Sequence, residues 1–195
     1  MKIYNIDNKL IYEDDSTTIK ETVENAVRKG VKLKEADLSN VDLKGVNLSN
    51  ANLYNANLEK SNLNGANLKG ANLECADLKL IYLENANLEK TNLRYASLKN
   101  ANLQNANLHK ANLNSANLYD ANLTNASLIQ ASINNTNFYH TILQDTDMRG
   151  VDLSYVNLED TIFSRTRFSN GSAFFNYIIL DYSEYKNLLE KNRIL

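Results

Sequence analysis

The sequence contains no proline, no tryptophan and a single cysteine, Cys75, among its 195 residues. One cysteine excludes an intrachain disulfide, and this usage suits a reducing cytoplasm. Long apolar runs are also lacking, which excludes a membrane-spanning helix. The opening residues, 1–8, lack the basic start and the apolar core of a signal peptide. These absences predict a cytoplasmic protein with no membrane segment.

An excess of charge of either sign is also lacking, with 21 basic and 23 acidic residues. The electric field of the whole molecule is therefore too weak to attract nucleic acid or an anionic membrane surface. We expect no direct nucleic-acid binding and no membrane association. The net charge does not identify a partner.

Asparagine and leucine are abundant, and both recur every five residues. From Val31 to Asn170 the chain divides into 28 pentapeptides without a break in phase. The cleanest repeats read alanine, asparagine, leucine and two variable residues, as at 51–55 and 101–105. Some central positions hold another large apolar residue: Ile133, Phe138, Met148, Phe163 and Phe168. The central residue and the small residue two before it are predicted to face inward.

A period of five residues fits neither an α-helix nor a strand. Leucines at this spacing would spiral around a helix, which excludes an amphipathic helix. A chain that turns a corner every five residues can instead point one large and one small apolar residue inward. Stacked coils would pair backbone to backbone about 4.8 Å apart, with asparagine bonded at corners or stacked in an amide ladder. The pattern predicts an all-β solenoid.

These repeats resemble the pentapeptide-repeat family, whose consensus is alanine, aspartate or asparagine, leucine and two variable residues. The resemblance covers residues 31–170. It implies a right-handed, four-sided parallel β-helix of about seven coils, with four pentapeptides in each coil. Opposite charges at the implied spacing of twenty residues agree with this coil: Glu59 with Lys79, Lys69 with Glu89, Glu74 with Arg94, Asp145 with Arg165 and Asp147 with Arg167.

Residues 1–30 break the period and are predicted to cap the first coil. Segments 2–6 and 9–12 are expected to form a hairpin, followed by a helix. Thr18 and Glu21 have the spacing of a capping box at the start of that helix. The helix face expected to cover the coil consists of Ile19, Val23, Ala26 and Val27.

Residues 171–195 also break the period and are strongly apolar at their start. They are predicted to form a C-terminal cap with a last helix beginning near Ser183. Two interpretations stay open, a dimer interface and packing of the segment on its own rod. The dimer is favoured because members of the family that target topoisomerases join through their C-terminal ends. The predicted interface consists of Phe174, Phe175, Tyr177, Ile178, Tyr182, Tyr185, Leu188 and Leu189.

A catalytic arrangement cannot be read from the sequence. His109, His140 and Cys75 fall on three different sides of a four-sided coil, so no cysteine–histidine pair can form. Asp120, His140 and Asp160 stack at the twenty-residue spacing, and an exposed ladder is a better interpretation than a cation site. Phosphate loops and nucleophile elbows are absent. We predict that the chain is not an enzyme and uses no cofactor or metal.

Outward tyrosines form the candidate binding face, because tyrosine is favoured at protein interfaces. Cross-strand packing on an exposed sheet is the competing explanation. These residues are Tyr54, Tyr95, Tyr119, Tyr139 and Tyr155. The leading hypothesis is a non-catalytic interaction module, a rigid rod that binds an unidentified protein partner. The alternative implied by the resemblance is a DNA mimic that inhibits or protects DNA gyrase. The repeats carry 14 acidic and 13 basic residues, and this near balance argues against mimicry of a polyanion.

Overall fold

The repeats form a stack of coils in the computed structural model, which describes residues 1–153 and 155–168. Isolated parallel bridges join residues that lie twenty positions apart, from Asp37 to Arg167. Along one side, six consecutive bridges link a column of seven residues that ends at Asn157. Twenty residues are four pentapeptides, so each coil has four sides, as the resemblance implied.

The four sides are numbered here by the first coil. Side 1 begins with residues 31–35, side 2 with 36–40, side 3 with 41–45 and side 4 with 46–50. Each side continues at intervals of twenty residues along the chain. Sides 1 and 3 lie opposite each other, and so do sides 2 and 4.

Each corner is a tight turn closed by the main chain. At most corners the amide of the residue three after the leucine donates to the leucine carbonyl, as Ala56 N does to Leu53 O at 3.0 Å. The second residue after the leucine takes a positive φ, which is 54° at Asn55 and 57° at Leu80. Asparagine and glycine tolerate this conformation better than other residues, which explains their frequency at the corners. The chain therefore turns after every fifth residue.

The interior is filled by the residues predicted to face inward. Leu103 is fully buried and Ala106 is 1% exposed, and the inward residues of the middle coils are buried in the same way, whereas some at the two ends are partly exposed. Where threonine replaces alanine, its buried hydroxyl donates to the carbonyl of the central residue 23 positions earlier, which is a leucine in all cases but Phe138. Thr141 Oγ1 lies 2.8 Å from Leu118 O in this way. These bonds satisfy hydroxyl groups that would otherwise be costly to bury.

Asparagine before the leucine makes both of the contacts expected from the sequence. Its side-chain oxygen accepts a hydrogen bond from the amide two residues later, as Asn107 Oδ1 does from His109 N at 3.1 Å. Its amide nitrogen donates to the side chain one coil earlier, as Asn92 Nδ2 does to Asn72 Oδ1 at 3.0 Å. The asparagines therefore fix each corner and link successive coils.

The N-terminal segment contains an antiparallel hairpin and one helix. Strand β1 spans Lys2–Tyr4, strand β2 spans Leu10–Glu13 and helix α1 spans Ile19–Arg28. Thr18 caps the helix by accepting a bond from Glu21 N at 3.2 Å. The Glu21 carboxylate accepts from the preceding Thr17 N instead of Thr18 N, so only half of the predicted capping box forms. On the predicted inner face, Val23 and Ala26 are buried. Ile19 and Val27 are half-buried.

The N-terminal segment covers the edge of the first coil with hydrogen bonds. Asp37 N donates to Tyr4 O at 2.9 Å, which replaces the bond that a preceding coil would provide. The Glu24 carboxylate of α1 accepts from Asn47 N, also at 2.9 Å. Because these two edge amides are bonded, sides 2 and 4 of the first coil are protected from pairing with another chain.

The predicted C-terminal helix and the predicted dimer interface, Phe174 to Leu189, lie outside the described residues, so both stay predictions. Among residues 1–153 and 155–168, no helix is long and apolar enough to cross a membrane.

We expect lysine to be far more damaging at Leu103 than at its neighbour Gln104. Leu103→Lys places a charge in a filled interior and is expected to cost several kcal/mol of unfolding free energy. Gln104→Lys places the same charge outside and should cost less than about 0.5 kcal/mol. Urea unfolding followed by circular dichroism measures both effects. Equal shifts of the two midpoints would contradict the inward assignment of the leucines.

Candidate functional site

The filled interior leaves the outer surfaces as candidate sites. A groove of about 420 Å³ lies between α1 and side 4, and it is lined by Glu24, Val27, Arg28, Asn47 and Ser49. Its main polar group, the Glu24 carboxylate, is already bonded to a main-chain amide of the first coil. The groove therefore belongs to the N-terminal cap, which leaves the four sides of the rod as candidate sites.

The five tyrosines predicted as a binding face divide between two sides: Tyr54, Tyr95 and Tyr155 on side 1, and Tyr119 and Tyr139 on side 2. On side 1, the Lys34 ammonium lies 5.0 Å from the centre of the Tyr54 ring. The Arg94 guanidinium lies 5.1 Å from the centre of the Tyr95 ring. Two of the tyrosines on side 1 are thus already covered by cations of the same chain.

The tyrosines of side 2 form a stack with a histidine. The ring centres of Tyr119 and Tyr139 are 5.7 Å apart, with an angle of 19° between the planes. The His140 ring stacks on Tyr139 with its centre 4.3 Å away. All three side chains are at least partly exposed. The twenty-residue step therefore builds a continuous aromatic surface from residues of two coils.

Two carboxylates flank this stack. Asp120 Oδ1 lies 3.4 Å from His140 Nδ1, and Asp160 Oδ2 lies 3.5 Å from His140 Nε2. Because the carboxylates approach opposite nitrogens of one ring, they do not converge on a common point where a metal ion would sit. No group of three or more metal-ligating side chains occurs within the described ranges. The arrangement agrees with an exposed ladder, the interpretation favoured from the sequence.

Interaction of the Tyr139 phenol with the Asp160 carboxylate raises the pKa of Tyr139 above its ordinary value, and partial burial of the phenol adds to this effect. A phenolate at this position would face an existing negative charge. Glu159 makes a smaller contribution in the same direction. The electrostatic potential around the stack is therefore negative.

Charge is distributed unevenly between two opposite sides. Side 2 carries six acidic and three basic residues, whereas side 4 carries two acidic and five basic residues. The basic residues of side 4 are Lys69, Lys90, Lys110, Arg149 and Arg167. The rod is therefore polarised across its width although the charges of the repeats nearly cancel.

The acidic character of side 2 is confined to its C-terminal half. Its three lysines, Lys60, Lys79 and Lys99, all lie in the earlier coils, where side 2 has three acidic residues that balance their charge. Beyond them, side 2 has acidic residues and aromatic rings but no lysine or arginine in the described chain. We call this surface the aromatic–acidic patch: Tyr119, Asp120, Tyr139, His140, Glu159 and Asp160.

Three of the five charge pairs predicted between coils form, namely Lys69–Glu89 at 2.8 Å, Glu74–Arg94 at 3.9 Å and Asp145–Arg165 at 2.5 Å. The pairs Glu59–Lys79 and Asp147–Arg167 do not form. Lys79 instead binds Asp77, two residues earlier, at 2.7 Å. Arg149 binds Asp147 over the same separation and at the same distance. A nearer carboxylate within one pentapeptide thus competes with the partner one coil away.

A model of pentapeptide repeats matches the chain in eight copies, over residues 29–59, 51–89, 81–118, 111–154 and 131–170. The chain belongs to the pentapeptide-repeat family. The solenoid of this family is a right-handed β-helix, and the coils of twenty residues described above agree with it.

Solved structures of other pentapeptide-repeat proteins are similar to this chain. One, from the Arabidopsis thaliana thylakoid lumen, is 29% identical over 52% of this chain and 70% of its own, with a TM-score of 0.50. HetL, involved in heterocyst differentiation regulation in the cyanobacterium Nostoc, is 32% identical over 64% and 69%, with a TM-score of 0.35. QnrB1, a plasmid-mediated fluoroquinolone resistance protein, is 19% identical over 80% and 82%, with a TM-score of 0.48. No curated protein matches the chain significantly.

Sequence reasoning missed three outward apolar residues on side 3 of this pentapeptide-repeat rod, of which two are neighbours, Ile142 and Ile162. Tyr82, Ile142 and Ile162 occupy the position where the repeat normally has asparagine. Tyr82 is 51% exposed and Ile162 is 53% exposed. The signal that identifies them is the departure from the consensus one residue before the central position, where the side chain faces outward.

Removing the Asp160 charge should lower the pKa of Tyr139. Asp160→Asn keeps the size of the side chain but removes the negative charge that opposes ionisation of the phenol. Glu159→Gln is the matched control and should lower this pKa less, because Glu159 contributes less to the shift. NMR titration of tyrosines labelled at Cζ, assigned with Tyr139→Phe, measures the change. A Tyr139 pKa unaffected by Asp160→Asn would contradict the geometry of the patch.

Proposed function

We propose that this pentapeptide-repeat protein is a non-catalytic protein-interaction module that binds its partner through a flat side of the β-helical rod. The observation that carries the proposal is the contrast between interior and surface. The interior is filled by the protein's own leucine and alanine side chains, while the outer sides differ in charge and in aromatic content.

Rigidity of the sides supports this function. Leu98 N donates to Asn117 O at 2.7 Å and Asn117 N to Ala96 O at 2.9 Å, and this pattern recurs throughout the stack. Outward side chains are therefore held at fixed spacings before a partner arrives. A preorganised surface loses little conformational entropy on binding, which favours affinity.

The absence of catalysis is part of the proposal. Cys75 lies on side 1, His140 on side 2 and His109 on side 4, so no thiol–imidazole pair supports nucleophilic chemistry. The cytoplasmic location and the dimer through residues 171–195 likewise stay predictions. Family membership does not identify the partner, because function in repeat proteins depends on the surface and not on the fold.

Site-specific photo-crosslinking tests whether a side of the rod binds a protein. One p-benzoylphenylalanine is introduced per variant, immediately after the central residue on each of the four sides. The positions are Asn134 on side 1, Lys99 on side 2, Gln104 on side 3 and His109 on side 4. We expect one side, or two adjacent sides, to give a discrete adduct with a protein in living cells.

The four variants control for each other, because each has the same probe at the same position of the repeat. Adducts of equal yield from all sides would indicate random collision, and the absence of any adduct would contradict the proposal. A purified protein that turns over a substrate would contradict its non-catalytic part.

The alternative function, mimicry of DNA on gyrase, is disfavoured by charge density. Duplex DNA carries one negative charge per about 1.7 Å, so matching it would take roughly three per coil of about 4.8 Å. Side 2, the most acidic side, has an excess of three negative charges over its whole length and is interrupted by Lys60, Lys79 and Lys99. The observed charges therefore favour a different protein partner.

We expect no effect of the purified protein on DNA gyrase. A supercoiling assay over a concentration series, with and without a fluoroquinolone, measures inhibition and drug protection separately. Inhibition or protection at low micromolar protein would favour the DNA-mimic alternative. A known gyrase-binding relative serves as the positive control.

A further inference from the structure

Surface tyrosines of this chain are repeatedly covered by its own cations. Lys34 lies over Tyr54 at 5.0 Å and Arg94 over Tyr95 at 5.1 Å, and Lys29 lies over Tyr12 at 5.3 Å. Each contact places positive charge on the electron-rich face of a ring, which is favourable. These contacts show the type of group that a tyrosine on this surface binds.

The aromatic–acidic patch has the same type of ring, and from Tyr119 onward side 2 has no lysine or arginine in the described chain. In the described chain, the last basic residue of side 2 is Lys99, one coil before Tyr119. The tyrosine pair is flanked by Asp120 and Asp160, whose side chains are 37% and 58% exposed. Stacked rings and accessible carboxylates together favour an incoming cation.

His140 holds the carboxylates beside the rings. It stacks on Tyr139 and approaches Asp120 with one nitrogen and Asp160 with the other, at 3.4 and 3.5 Å. These distances are longer than those of strong charge-assisted hydrogen bonds. A carboxylate has about four acceptor positions, so each can bind a group from another molecule beside His140 and, at Asp160, beside the Tyr139 phenol.

We propose that the aromatic–acidic patch binds an arginine-bearing basic segment of a protein partner. A guanidinium stacks on the Tyr119–Tyr139 surface and pairs with the Asp120 or Asp160 carboxylate. Arginine fits better than lysine because its planar group stacks on aromatic rings and bonds a carboxylate through two donors. Charge complementarity supports this occupant, since this half of side 2 is acidic whereas the opposite side is basic. The inference rests on the proposed interaction function and specifies its partner.

Fluorescence anisotropy with the full chain tests the inference. The probe is a fluorescein-labelled octapeptide of alternating arginine and glycine, compared with peptides in which lysine or glutamate replaces arginine. We expect the arginine peptide to bind more tightly than the lysine peptide, and the glutamate peptide not to bind.

Two double variants with equal changes in net charge separate the patch from general electrostatics. Asp120→Asn with Asp160→Asn removes both carboxylates of the patch and should weaken binding of the arginine peptide about tenfold. Asp42→Asn with Glu84→Gln removes two negative charges from side 3 and should weaken binding less than about twofold. Equal weakening in the two double variants would overturn the inference.

The aromatic contribution has its own matched pair of variants. Changing Tyr119 and Tyr139 to phenylalanine keeps both rings and should preserve binding of the arginine peptide. Changing both to leucine keeps apolar bulk without the rings and should weaken binding about fivefold. Circular dichroism and the urea midpoint of each variant show whether it is folded. Folded leucine and phenylalanine variants with equal affinity would overturn the stacking contact.

A second copy of this chain is the competing occupant, since side 4 is basic. Sedimentation equilibrium distinguishes a second copy from a partner segment. If the chain self-associates and Asp120→Asn with Asp160→Asn abolishes the association, the patch binds a second copy and the inference is overturned. Failure of peptide binding accompanied by a specific crosslink from side 1, 3 or 4 would overturn only the inference. Failure of both experiments would overturn the interaction function as well.

Discussion

Main-chain hydrogen bonds between successive coils are the interaction on which the other features of this protein depend. Leu38 N donates to Asn57 O at 2.8 Å, and Asn57 N donates to Ala36 O at 2.9 Å. Repetition of this pattern fixes each residue opposite the residue twenty positions later. Because the backbone groups are paired in this way, the leucine must point inward and the two residues after it must form the corner.

The fixed step arranges the surface in columns. Residues far apart in the sequence become neighbours when their numbers differ by twenty, as Tyr119 and Tyr139 do. This arrangement separates charge into an acidic side 2 and a basic side 4, although the repeats contain nearly equal numbers of acidic and basic residues. Net charge alone therefore underestimates the electrostatic character of a pentapeptide-repeat rod, because its charges lie on opposite faces.

Several side-chain contacts were not predictable from spacing. The sequence pairs Asp147 with Arg167 as readily as with Arg149, yet the side chain of Arg149 forms the contact. The Glu21 carboxylate similarly bonds Thr17 N and not Thr18 N. Long side chains have several low-energy rotamers, so the pair that forms depends on local geometry as well as on the number of residues between partners.

The sequence by itself determined the five-residue period, the inward leucines and alanines, and the asparagine bonds at the corners, because each follows from one pentapeptide and its repetition along the chain. The sequence period does not determine the length of a coil, because it does not fix how many pentapeptides complete one turn. The family resemblance supplied the step of twenty residues, and only the tertiary structure decided which outward side chains of a column touch, as the stacked rings of Tyr119 and Tyr139 do. The physical reason is that a coil closes through hydrogen bonds to the next coil, which no single pentapeptide contains.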